Sequence, residues 1–157
     1  MIDRYTTPEM AKIWSDQNKY ETWKKVEIAV TEVLTETGEV PKESLDVIKK
    51  KASFSVDRIL EIEKTTRHDV IAFLTNMAEN IGPDSRFIHM GMTSSDLLDT
   101  SLALLCKEAG ELIQGKIKKF QEILREKAVI HKDSFQIGRS HGVHAEPITF
   151  GLKLALW

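Results

Sequence analysis

A chain of 157 residues, 41% hydrophobic and 29% charged, is long enough for one domain with a real core, or for one domain and part of another. A formal charge of -2 excludes the basic excess expected of a nucleic-acid binder, and no apolar run reaches membrane-spanning length. The single cysteine, Cys106, cannot close an internal disulfide. It falls in a leucine-rich helical pattern and reads as a small core residue in a reducing setting. The start, Met1-Ile2-Asp3-Arg4-Tyr5, carries no signal peptide, so the expectation is a soluble cytoplasmic protein.

Thr7-Pro8-Glu9 is a helix start, with a capping hydroxyl, a proline in the first turn and an acid near the positive end of the dipole. That short helix is predicted to reach about Trp14. Ser15-Asp16 restarts a longer one, on which Tyr20, Trp23, Val26, Val30, Val33 and Leu34 recur at steps of three and four until Gly38. Pro41 opens another through Val47 and Ile48, and Lys49-Lys50-Lys51 suits its C-terminal end. Ser55 to Thr65 reads as helix, carrying Ile59, Leu60 and Ile62. The next helix has Val70, Ile71, Phe73, Leu74 and Met77 on one face and ends near Gly82-Pro83. A loop follows through Phe87, His89 and Gly91, and Thr93-Ser94-Ser95-Asp96 offers N-caps ahead of Leu97 and Leu98.

From there helical spacing runs without proline to about His131. Leu98, Leu102, Leu105, Ala109 and Leu112 form a stripe that Ile113, Ile117, Phe120 and Leu124 continue, shifted by one. About 36 residues at 1.5 Å each span on the order of 54 Å, a length that suits one staff of an extended and oligomeric bundle. Gly110 and Gly115 are weak points in it. The final stretch, Ile148 to Trp157, reads as an apolar helix opened by Pro147. It stops without a cap, as a chain cut inside a helix would. No segment alternates convincingly as a strand. The expected fold is therefore all-α, an N-terminal helical domain over 1–92 followed at 93–157 by the first part of a long-helix bundle.

Ten residues, Gly138-Arg139-Ser140-His141-Gly142-Val143-His144-Ala145-Glu146-Pro147, gather two imidazoles, a guanidinium, a hydroxyl and a carboxylate between two helical patterns. Of the five histidines, His68, His89, His141 and His144 lie at loops or helix junctions, where imidazole can exchange protons near neutral pH. His131 is expected to be simply solvated. His141 and His144 with Glu146 fit no known zinc spacing, so no metal is expected. Thr93-Ser94-Ser95-Asp96 is a cap whose outward N–H groups and hydroxyls also suit a carboxylate or phosphate. Arg67-His68-Asp69 alone is explained by one ion pair at a junction. Taken together, the three polar clusters suit an anionic substrate that needs a proton delivered as a bond breaks.

Four segments carry a more specific likeness: Arg4-Tyr5, Thr66-Arg67-His68-Asp69, His89-Met90-Gly91-Met92-Thr93-Ser94-Ser95-Asp96-Leu97-Leu98-Asp99-Thr100 and Gly138 through Pro147. In that order they resemble the N-terminal portion of the adenylosuccinate lyases, a family of the helical fumarase/aspartase superfamily. Thr-Ser-x-Asp is shared across the superfamily, whereas Thr-Arg-His-Asp and Arg-Ser-His-Gly-x-His-Ala-Glu-Pro are sharper. Ser140 stands where many relatives have threonine and keeps the hydroxyl.

The resemblance implies elimination of fumarate from adenylosuccinate to give AMP, and from the succinyl-carboxamide ribonucleotide of purine synthesis, with no metal or organic cofactor. It implies His141 as general acid with His68 in support, and Ser140 beside His141. Thr93 and Ser94 would hold the succinyl carboxylates. Arg4, Tyr5, Arg67, His68, Asp69 and His89 would surround the nucleotide, Arg4 and His89 at its phosphate. The family's base is a serine in Gly-Ser-Ser-x-Met-Pro-x-Lys-x-Asn, a segment absent from this sequence. Family sites also combine three subunits of a homotetramer, so the isolated chain is expected to be inactive. Two alternatives stay open: another lyase or cycloisomerase of the superfamily, and a non-catalytic helical interaction module built on the long amphipathic helix.

Overall fold

The computed structural model describes residues 2–157. After a 3-10 turn at Asp3–Tyr5, five helices follow: α1 Pro8–Ile13, α2 Asp16–Glu36, α3 Lys42–Lys51, α4 Val56–Thr66 and α5 Asp69–Ile81. A second 3-10 turn, Pro83–Phe87, leads to the 37-residue α6, Ser94–Ile130. Strands β1 Phe135–Ser140 and β2 Val143–Thr149 and a short helix α7, Phe150–Ala155, complete the chain. The chain forms two compact units, Met1–Ala109 and Gly110–Trp157.

In the first unit the cap expected at Thr7 forms, and Ser15 and Ser55 cap α2 and α4 in the same way. The hydroxyls of Thr7 and Ser15 accept the N–H groups of Met10 and Asn18, at 3.4 and 3.2 Å. Ser55 accepts from Arg58, and its own N–H donates to the buried Asn76 Oδ1 at 2.8 Å, tying the start of α4 to α5. Arg58 adds an exposed fork to Glu79 across the same pair of helices, 2.7 Å at its shortest.

The core is aromatic at its centre. Tyr20 stacks on Phe73 at 5.8 Å, and Trp23 meets Phe73 edge-on at 5.4 Å. Around them lie Val26, Ile48, Ile59, Val70, Met77, Ile81 and Leu97. Each such side chain contributes about 1.5–3 kcal/mol on burial.

The buried stripe of α2 differs from the apolar one read in sequence. It includes Tyr20, Trp23, Glu27 and Thr31, while Val33 is 57% exposed. Steps of three, four and four keep those four residues on one side of the helix, and Val33 lies off it. On α6 the core side is Leu97, Ser101, Leu105 and Ala109, at steps of four; Leu102 is exposed. Cys106, expected in the core, is exposed as well. One residue past Leu105 turns it about 100° away from the packed side.

The second unit corrects the sequence reading most. The stretch 135–149, expected to be loop and helix, is an antiparallel hairpin. Pro147 opens no helix: it sits in β2 opposite Ile137. The helix begins at Phe150, capped by the Thr149 hydroxyl, which accepts from the Leu152 N–H at 3.2 Å. A bulge places Ala145 and Glu146 of β2 opposite Gly138 alone, between the pairs Ile137–Pro147 and Arg139–His144. The close crossing needs glycine there, because a Cβ on residue 138 would come within 2.8 Å of the Glu146 carbonyl oxygen. Proline is tolerated because this two-stranded ribbon is all edge. His131 is not simply solvated: its ring lies 5.0 Å from that of Phe150.

Candidate active site

At the α4–α5 junction, Arg67 takes a left-handed conformation (φ 51) as the C-cap of α4, its N–H donating to the Glu63 carbonyl. This reverses the chain and leaves His68 as the N-cap of α5. His68 Nδ1 accepts the Ile71 N–H at 3.4 Å. An accepting Nδ1 carries no proton, so the neutral ring in this arrangement is protonated on Nε2. The same Nδ1 lies 3.5 Å from Asp69 Oδ1. Pairing with Asp69 needs the proton on Nδ1, so cap and ion pair exclude each other. Arg4, near the start of the chain, places its guanidinium 4.8 Å from the exposed Tyr5 ring.

His89 is the best-held of the candidates. It too is left-handed, at φ 62. Its N–H donates to Glu27 Oε2 at 2.9 Å, and its Nδ1 lies 2.6 Å from Oε1 of the same carboxylate. The Glu27 side chain is 1% exposed and the His89 side chain 18%. Burial pushes the Glu27 carboxyl above the usual range, against the downward pull of the hydrogen bonds and charge of His89. Sequence reasoning passed over Glu27. The signal that could have found it is an acid on the same helical side as Tyr20 and Trp23, where an apolar residue would be expected.

Four residues beyond His89, Thr93 precedes α6, and its N–H donates to Asp96 Oδ2 at 2.8 Å. Asp96 returns its own N–H to the Thr93 carbonyl at 3.0 Å. Thr93 and Ser94 thereby stand at the positive end of the helix dipole, the place for a carboxylate.

In the second unit, Ser140 pairs with Val143, leaving His141-Gly142 as a two-residue turn. Their φ angles of 49 and 77 match a turn with both central residues left-handed, the kind whose twist suits a hairpin. His141 is exposed at the tip, between Ser140 on β1 and Gly142.

Among the described residues, the non-glycine residues with positive φ are Arg67, His89 and His141. Each was nominated from sequence. Left-handed backbone at such residues costs of order 1–3 kcal/mol and concentrates at functional sites. Arg67, His68 and Asp69 are brought together, and His89 is joined to Glu27. No hydrogen bond or ion pair links those two groups to each other, to Arg4-Tyr5 or to Thr93-Ser94 among the described residues. Ser140 and His141 belong to the other unit.

This fold and these motifs define a class. A family model described as Lyase matches residues 3–157, and the chain belongs to that family. Among curated relatives, it is 49% identical to the adenylosuccinate lyase of Bacillus subtilis and 54% identical to that of Synechocystis, over all of its 157 residues. It spans 36% of the length of each. A solved structure of 3-carboxy-cis,cis-muconate lactonizing enzyme from Pseudomonas putida superimposes with a TM-score of 0.89 at 29% identity, over 99% of this chain and 37% of that one. The expected all-α, fumarase/aspartase-like fold is therefore observed, with one small hairpin added.

Proposed function

We propose that this chain supplies part of an adenylosuccinate lyase, which eliminates fumarate from adenylosuccinate to give AMP and from the succinyl-carboxamide ribonucleotide. The observation that carries the reading is the coincidence of motif and strain. Arg67, His89 and His141, the left-handed non-glycine residues among those described, are the residues through which the family motif would touch nucleotide and leaving group. The identity of about half to enzymes of that name supports it.

In this reading a base removes the proton from the carbon beside a succinyl carboxylate, and an acid protonates the departing nitrogen. His141, at the exposed tip of its hairpin, is the acid; Ser140 flanks it and His68 supports it. Thr93 and Ser94 receive the succinyl carboxylates at the start of α6, where fixed donors stabilise charge as it develops. Arg4, Tyr5, Arg67, His68, Asp69 and His89 surround the nucleotide. The family's serine segment has no counterpart in these 157 residues. The base therefore comes from the remainder of the full-length lyase, which works as a homotetramer.

Loss of His141 tests this. In the full-length lyase, His141→Ala should lower kcat by about 10²–10⁴, the usual worth of a general acid, with AMP binding retained. An unchanged kcat would remove His141 from the acid role. Should Arg67→Ala and His89→Ala leave AMP binding intact, a lyase or cycloisomerase of non-nucleotide substrates becomes the better reading.

A further inference from the structure

A buried carboxylate is costly unless fully partnered, and an apolar side chain in its place is often as stabilising or more so. Glu27 sits on the packed side of α2, 1% exposed, with Tyr20 and Trp23 on the same side. Both of its oxygens go to one residue, His89, 62 positions away. One oxygen takes the backbone N–H of a left-handed residue and the other faces the ring. A carboxylate that met only a packing need would not be spent on both halves of a single histidine. Among the described residues His89 Nε2 has no hydrogen-bond partner, and it is not among the buried unpaired atoms, so it reaches solvent.

We propose that Glu27 is a positioning residue: it holds His89 with Nδ1–H turned inward and Nε2 outward, to receive the phosphate monoester of the substrate. The choice of phosphate rests on the nucleotide reading above; the positioning does not. With Glu27 ionised, the imidazole can carry a proton on both nitrogens, and Nε2–H then donates to a phosphate oxygen with charge assistance. The Glu27–backbone bond fixes where that donor stands. Ring orientation and main-chain conformation are thus set by the same carboxylate, much as outer-shell acids orient the histidines of metal sites.

The test uses the full-length lyase and the variants E27Q, E27D and H89Q. Glutamine keeps the volume but offers one accepting oxygen in place of two. Nitrogen-15 spectra of the wild-type ring should show Nδ1 protonated, and E27Q should shift the proton toward Nε2. Titrated with AMP and with inorganic phosphate, E27Q should bind about tenfold more weakly, on the scale of one hydrogen bond to a charged group. It should raise KM for adenylosuccinate while kcat stays within about twofold, a split that a general loss of structure would not give. The double variant E27Q/H89Q should bind no more weakly than H89Q alone. E27D, which keeps the charge on a shorter arm, should fall between wild type and E27Q.

Wild-type affinity for AMP and phosphate in E27Q, or strictly additive losses in the double variant, would overturn the proposal. If E27Q does not fold, the wild-type spectra decide: a His89 Nε2 resonance unmoved by saturating phosphate overturns it too. An enzyme inert toward adenylosuccinate, whose His89 still responds to phosphate and loses that response in E27Q, would sink the substrate reading and leave the positioning role standing.

Discussion

Ser140 and Val143 face each other across His141-Gly142, and this one register places a left-handed histidine at the tip of the hairpin. The two turn residues answer differently to substitution. Alanine at 142 must adopt φ near 77, so Gly142→Ala should cost about 1–2 kcal/mol in urea unfolding. His141→Gly relieves strain at φ 49 and should leave stability equal or raise it by up to about 1 kcal/mol, while removing the proposed acid. A neutral Gly142→Ala would show that the turn is not held in this conformation.

Glu27 should leave a mark on the pH dependence of stability. Its folded carboxyl is raised by burial, so the folded state binds this proton more tightly than the unfolded chain. The stability linked to it is fully present below the ordinary carboxylate range and is lost as pH rises through the folded value. E27Q has no such proton. As pH rises from the ordinary carboxylate range through the raised folded value, wild type should lose stability relative to E27Q, whatever their offset. Urea midpoints measured on both across that range check it; a constant difference would contradict the desolvation account.

The far half of α6 should drive self-association. Ile113, Ile117, Phe120 and Ile123 are each 45–50% exposed along it. Contiguous apolar surface of that kind rarely stays uncovered. Sedimentation of the 157-residue chain should show species above 17.9 kDa, reduced by Ile117→Glu with Phe120→Glu. A monomer at micromolar concentration would argue that this surface is too weak to associate unaided.

The helices up to Ile81 were legible because their signals are local. Thr7, Ser15, Pro41 and Ser55 punctuate the chain, and the three-to-four spacing between them reports a buried side whichever partner covers it. The polar clusters were legible for the same reason: each is a run of adjacent residues. The hairpin was not. Its strands are exposed at most positions, the bulge at Gly138 breaks the alternation, and His-Gly is a weaker turn signal than Asn-Gly. Pro147 and the apolar Ile148–Trp157 then fitted a helix better than a strand.

Sequence by itself determined where the helices begin, which residues carry protons and charge, and which family they resemble, because those properties depend on neighbours a few positions apart. Only the tertiary structure decided that Glu27 belongs with His89 and that Cys106 faces outward. It alone set three candidate residues in left-handed backbone. Each of these depends on which surfaces meet across tens of residues. A buried acid 62 positions from its partner leaves no local trace except an unexplained charge on an otherwise packed side of a helix.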